Sequence, residues 1–290
     1  MGGAVARVAS LLAALALVLA PAAGAQERTP EEPRLDANSW LLIDARDGDR
    51  LAARSPDARR SIASLTKLMT AYVGLRELPL DEELTVPPYD ALPAESVAGL
   101  RAGEKLTLAD LVTAMMLPSA NDAAATVAAG VAGGEGAFVR RMNAAAAKLG
   151  LGGTSFANPI GLDEPGNYST ASDLATLALE LRENRFFRRV VDEPEERLSS
   201  GSVPRTVVTR NTLLLADPSV DGIKTGHTLK AGYVLVASAE RRGVPLLSVV
   251  LGAGSEAARD AETRELLDFG YSLYEERSPF ERGEELEEAT

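Results

Sequence analysis

The spacing of apolar positions changes several times along this chain, and each change marks an element. Trp40 to Asp44 and Arg50 to Ala53 are short strand-like runs on either side of Asp47-Gly48, so they predict a β-hairpin. From Leu65 onward the apolar residues are Leu65, Leu68, Met69, Tyr72 and Leu75, the three-and-four spacing of one helix face. Leu108 to Met116 predicts a second helix with Thr107 as its N-cap, and "NDAAATVAAGVAG" and "GAFVRRMNAAAAKLGL" are alanine-rich and helix-prone. "STASDLATLALELREN" predicts another helix, capped at its start by serine or threonine. Late in the chain "YVLVASAE" and "VPLLSVVLGA" are β-branched runs split by Arg242-Gly243, a hairpin signal, and "RDAETRELLDFGYSLYEE" closes as a helix. The sum is an α/β protein with a largely antiparallel sheet, in which the first and last strands can be neighbours. No internal repeat and no interdomain linker interrupts it.

The two ends differ from this body. Arg7 precedes an apolar stretch from Val8 to Ala20, then come Pro21 and the small residues Ala23-Gly24-Ala25. This is the pattern of a secretory signal peptide, residues 1–25, cleaved after Ala25. The run is shorter than the roughly 20 residues a bilayer span requires, and no later segment is apolar enough to span. The expected mature protein therefore has no transmembrane segment and works outside the cytoplasm. Residues 26–34 read as a disordered leader, 35–275 as the functional domain and 276–290 as a solvated acidic tail.

Composition removes several classes of function. The chain has 290 residues, 46% of them apolar and 25% charged, which is globular and not disordered. A net charge of −12 argues against nucleic acid as a partner, since a phosphate backbone requires a basic face. There are no cysteines, so disulfides, thiolate metal sites and cysteine nucleophiles are excluded. The single histidine, His227, is alone, with no H-E-x-x-H to hold zinc and no G-x-S-x-G elbow for a serine triad. Neither metal nor cofactor is expected.

If a serine is the nucleophile, a lysine is the natural base, and there are five lysines against 25 arginines. Lys67 lies three residues after Ser64, on the same face of the predicted helix. Ser64 at that N-terminus would meet backbone N–H groups that favour a developing oxyanion. The alternative makes Ser64 an ordinary cap and Lys67 a surface residue. Two later motifs weigh against that alternative. Ser119-Ala120-Asn121 follows an apolar helix and offers a hydroxyl to relay a proton and an amide that can hold a lysine and bind a substrate amide, although alone it reads as a cap and turn. Lys224-Thr225-Gly226 can bind a carboxylate, and its glycine lets an extended peptide approach the backbone.

The ordered set S-x-x-K, S-x-N, K-T-G resembles that of the low-molecular-weight penicillin-binding proteins, the serine-type D-alanyl-D-alanine carboxypeptidases. "ASLTKLMTAY", "LPSANDAA", "NPIGLDEPGNYSTASDLA" and "VDGIKTGHTLKAGYVLVASA" resemble the family's longer blocks. The resemblance covers Ser39 to Tyr274. It implies a β-lactamase-like fold: an antiparallel five-stranded sheet flanked by helices, with a helical subdomain. It also implies Ser64 as acylated nucleophile, Lys67 as its base and Ser119 as proton relay to the leaving D-alanine. Asn121 would hold Lys67 and the substrate amide, and Lys224 and Thr225 the terminal carboxylate, with Gly226 allowing the approach. The oxyanion would sit between the backbone N–H groups of Ser64 and His227. Arg210 and Arg259 resemble substrate-side arginines, and can equally be loop and helix arginines.

The implied partners are peptidoglycan stem peptides and, as covalent inhibitors, β-lactam antibiotics. Three departures accompany the resemblance. Ile62 stands where the family often has proline, a feature shared with D,D-endopeptidases that cut crosslinks. Many relatives continue into a β-rich domain and membrane anchor where this chain stops at Thr290. There is no E-x-x-L-N for a β-lactamase's deacylating water, and "DEPGN" only superficially resembles it, so acylation by penicillin is expected to reverse slowly. A wall-binding protein without catalysis and a β-lactamase are the remaining readings.

Overall fold

The computed structural model describes residues 30–274. The expected signal peptide, residues 26–29 of the leader and the acidic tail lie outside the described residues. Residues 30–34 have no regular structure. In chain order the elements are β1 (Ser39–Asp44), β2 (Arg50–Arg54), a 3-10 turn (Ala63–Leu65), α1 (Thr66–Glu77), β3 (Glu83–Thr85) and β4 (Lys105–Thr107). Then follow α2 (Leu108–Met116), α3 (Asn121–Ala132), α4 (Glu135–Lys148), α5 (Ala171–Arg182) and α6 (Arg185–Asp192). The chain ends through β5 (Glu195–Arg197), β6 (Thr206–Val208), α7 (Thr212–Ala216), β7 (Val220–Thr228), β8 (Gly232–Arg241), β9 (Val244–Ala253) and α8 (Glu256–Ser272).

The main sheet runs β2-β1-β9-β8-β7, antiparallel throughout. The expected meeting of first and last strands is the β1–β9 pair, with Ser39 opposite Leu251 and Asp44 opposite Leu246. Side chains alternate between its faces. Trp40, Leu42, Leu235, Ala237, Leu246 and Val250 pack against Leu266 and Leu267 of α8. Leu41, Ile43, Val234, Val236, Val249 and Leu251 belong to the larger core with α1, α2, α3 and α5. Both faces are covered, which is why these strands read as continuous apolar runs instead of alternating ones. Arg242 (φ 52°) and Gly243 (φ 77°) turn β8 into β9, as the hairpin signal predicts.

Elements absent from the sequence reading are the short ones. The ribbons β3–β4 and β5–β6 have three-residue strands, too short to display a period. Helix α6 buries only Phe187, Val190 and Val191, among arginines, with the Asn184 side chain capping Phe187 N–H at 3.1 Å. The run "VDGIKTGHT", which holds the Lys224-Thr225-Gly226 motif, is itself β7, one of the two edge strands of the sheet.

Candidate active site

The 3-10 turn and α1 cross the core beside β7. Ser64 lies in that turn, and Leu65, not Ser64, is the residue before α1, with no side-chain cap there. The Ser64 hydroxyl is therefore not spent on capping the helix. It accepts instead from Lys67 Nζ at 3.1 Å. Lys67 is fully buried, and its second bond is to the carbonyl of Ile160 at 2.5 Å. Burial pushes the Lys67 ammonium down to about 7; Glu95 and, more weakly, Asp122 act against this, while Arg210 adds to it. An amine so placed is a base at neutral pH. Ala63, next to Ser64, holds φ 47°, a conformation an alanine adopts only under constraint from its surroundings.

The Ile160 carbonyl is presented by a built turn. Asn158 Oδ1 accepts from the N–H groups of Ile160, Gly161 and Leu162, and the Pro159 carbonyl accepts from Thr70 at 2.6 Å. Gly161, at φ 91°, lets this turn press on the 3-10 turn: a Cβ there would lie 2.2 Å from the Ala63 carbonyl oxygen. Asn158 was not singled out from sequence, because a backbone carbonyl acting on a lysine leaves no side-chain signature. The segment was marked only as part of the block "NPIGLDEPGNYSTASDLA" that resembles the family's. Glu164 of "DEPGN" accepts from Asn158 Nδ2 at 3.1 Å and so belongs to the same turn.

Ser119 follows α2 with φ 66°, and its hydroxyl is buried without a hydrogen-bond partner among the described residues. A strained, unpartnered hydroxyl is available to a reacting group. Asn121 opens α3, nearly buried, and its Nδ2 donates to Glu95 Oε2 at 2.8 Å. This corrects one expectation: no hydrogen bond joins Asn121 to Lys67, whose bonds go to Ser64 and Ile160. Glu95 was not foreseen either. It lies in a proline-rich loop without period, where a single glutamate carries no signal.

On β7, Lys224 is buried and donates to the Thr225 carbonyl at 2.8 Å. Burial lowers its pKa well below the usual lysine value, assisted by the charges of Lys67, Arg210 and Arg259. Thr225 is buried beside it. At Gly226 a Cβ would stand 2.9 Å from Ser64 N, so glycine is what allows β7 to lie against the 3-10 turn. His227 is exposed at the end of β7, with its ring stacked on Tyr233 at 4.1 Å between centroids. Arg210 is exposed, with its charge felt at both lysines. Arg259 is buried, bound to Thr212 Oγ1 at 2.9 Å and Asp260 at 2.7 Å. Ile62 is fully buried in the core, so its side chain is a packing element and not a surface that substrate meets.

A hydroxyl bonded to a buried amine, an unpartnered second hydroxyl and a second buried lysine are groups that serine acyl transfer uses, carried here on a helix-flanked antiparallel sheet. A family model described as D-alanyl-D-alanine carboxypeptidase matches residues 26–255, and the chain belongs to that family of serine D,D-carboxypeptidases. It is 38% identical over 283 residues to the D-alanyl-D-alanine carboxypeptidase DacC of Escherichia coli (strain K12), covering 92% of this chain and 69% of that protein. The crystal structure of penicillin binding protein 6B from Escherichia coli is similar at 36% identity and TM-score 0.77, over 84% of this chain and 80% of that one. The Streptomyces K15 DD-transpeptidase matches at 32% identity and TM-score 0.78, over 84% of this chain and all of that one.

Proposed function

We propose that this protein removes the terminal D-alanine from peptidoglycan stem pentapeptides through an acyl-serine intermediate, with residue roles as the motifs imply. The observation that carries the reading is the 3.1 Å bond from the buried, weakened Lys67 ammonium to the Ser64 hydroxyl. In its neutral form Lys67 takes the Ser64 proton as Oγ attacks the carbonyl of the D-alanyl-D-alanine bond. Backbone N–H groups of Ser64 and His227 receive the oxyanion. Ser119 passes a proton to the departing D-alanine amine, and Asn121 binds the substrate amide. Lys224 and Thr225 hold the terminal carboxylate, with Arg210 and Arg259 adding positive charge around them. Water then cleaves the ester and restores Ser64.

The protein is further proposed to act on the outer side of the cytoplasmic membrane. The leader sequence supports this, and the family match begins at residue 26, immediately after the expected cleavage point. Among the described residues no helix is long and apolar enough to cross a membrane. β-Lactams mimic the D-alanyl-D-alanine end and are expected to acylate Ser64. Labelled penicillin incorporated at one serine, and lost in Ser64→Ala, is the first test. Incubation with a stem pentapeptide beside a crosslinked muropeptide, read by mass, tests the substrate. Free D-alanine supports the reading, and cleavage of the crosslink alone moves the protein to the endopeptidases. Label persisting in Ser64→Ala refutes the site.

A further inference from the structure

The loop between β3 and β4 returns across the start of α3 and is pinned there. Asn121 N–H donates to the Ser96 carbonyl at 2.7 Å, and the N–H groups of Ala98 and Leu100 both donate to the Asp122 carboxylate at 2.9 Å. Within this loop Glu95 is half-buried and collects three donors. Oε1 accepts from Leu92 N–H at 3.2 Å; Oε2 accepts from Asn121 Nδ2 at 2.8 Å and from the Tyr89 hydroxyl. Its backbone closes the same turn, donating to the Leu92 carbonyl at 2.9 Å. A glutamate that only solvated the surface would not be held in this way.

We propose that Glu95 is a positioning residue for acyl transfer: it fixes which way the Asn121 amide faces and supplies the counter-charge under which Lys67 works. The inference rests on the reading of Ser64 and Lys67 given above. Its first half is donor and acceptor chemistry. A carboxylate only accepts. Turning the Asn121 amide over would set Oδ1 against Glu95, acceptor against acceptor, so Nδ2 is held on that side. The carbonyl and the second N–H are thereby aimed away from Glu95.

The second half is a count of charges. Lys67 feels Glu95 from this loop, Arg210 from the segment before α7 and Asp122 from α3, and its own charge acts on Lys224 of β7. Asp122 is already engaged by backbone N–H groups of the loop. Glu95 is the stronger of the two anions acting on Lys67. Burial raises the Glu95 carboxyl, but its bonds to Asn121 and Tyr89 and the charge of Lys67 leave it below its ordinary value, so it remains an anion at neutral pH.

The test is the rate of acylation by fluorescent penicillin from about pH 5 to about pH 9, for the wild type, Glu95→Gln and Glu95→Asp. Glutamine keeps the size of the side chain, removes the charge and allows the Asn121 amide to turn. Removing an anion lowers the pKa of a neighbouring ammonium. The Glu95→Gln acid limb is therefore expected about half a pH unit or more lower, with roughly threefold more neutral Lys67 at a pH well below both midpoints. Its plateau rate is expected to fall about tenfold, from a weaker base and a disordered amide. Glu95→Asp is expected to return the limb toward the wild-type position. A Glu95→Gln limb that coincides with the wild type overturns the inference whether or not the plateau falls, because a damaged loop lowers the rate equally at every pH. Absence of any labelling in the wild type overturns the nucleophile assignment first, and this inference with it.

Discussion

Substituting Gly226 with alanine tests the proposed oxyanion geometry without touching a side chain that performs chemistry. The added Cβ would stand 2.9 Å from Ser64 N, 2.9 Å from a Val234 methyl and 3.2 Å from Ala63 Cβ. Valine can rotate, but Ser64 N belongs to the 3-10 turn, which is pressed from behind by the Gly161 turn. Ordinary contact begins near 3.4 Å, so β7 and Ser64 must separate by about half an ångström. That separation widens the space between the two backbone N–H groups proposed to receive the oxyanion. Displacements on the order of 1 Å cost about a hundredfold, and loss of a whole oxyanion donor costs about a hundred- to a thousandfold. The expected fall in the penicillin acylation rate constant is therefore about ten- to a hundredfold. Overpacking should destabilise the fold by about 1–3 kcal/mol, a few degrees in Tm. Stopped-flow or gel-based acylation with a fluorescent penicillin reads the first quantity, and thermal melting the second. A folded Gly226→Ala protein that acylates at the wild-type rate refutes the argument that this backbone contact sets the site.

Other outcomes follow from the charges. Acylation in the wild type should rise with pH through a midpoint at about 7, because Lys67 acts when unprotonated and burial lowers its pKa to that value; a pH-rate profile flat across neutrality would refute the assignment. The Arg205–Glu104 pair is buried on both sides, at 2.8 Å, so Arg205→Ala should cost about 3–5 kcal/mol in urea unfolding, because the Glu104 carboxylate loses its counter-charge and keeps only the donors of Arg101, Ser202 and Val203. The Arg205 bond holds the Glu104 carboxyl down at about 2, so its contribution is complete above the ordinary value of 4.5 and is lost as pH falls toward 2. The Arg205→Ala variant should lack that part of the acid dependence of stability.

How far the molecule could be read from its sequence depends on what kind of contact each part makes. The helices α1, α2 and α5 and the hairpins β1–β2 and β8–β9 carry their own periods, caps and turns, and they form where those signals lie. The five side chains proposed to carry the chemistry, Ser64, Lys67, Ser119, Asn121 and Lys224, could be singled out because each sits in a short motif at an element boundary. What surrounds them was not. Lys67 owes its lowered pKa first to burial by segments far along the chain, and its second hydrogen bond goes to a backbone carbonyl, which any residue supplies. Asn121 was assigned to Lys67 from the resemblance, while its amide nitrogen is in fact taken by Glu95, a residue whose neighbours in sequence say nothing about it. Arg259 could be read equally as a substrate-side arginine or as an exposed helix arginine; it is a buried arginine of α8 bound to Thr212 and Asp260, a burial that no local sequence signal announces.

The long separation in sequence between the parts of the site has a consequence for timing during synthesis. Ile160 lies 93 positions after Lys67, and the sheet closes only when β9 pairs with β1. Until those later segments arrive, Lys67 is solvated and keeps the proton of an ordinary amine, and Ser64 is an ordinary alcohol. An unfolded chain thus carries no activated Ser64–Lys67 pair. Completion of the fold is the activating event, and the enzyme is switched on by the same packing that makes it stable.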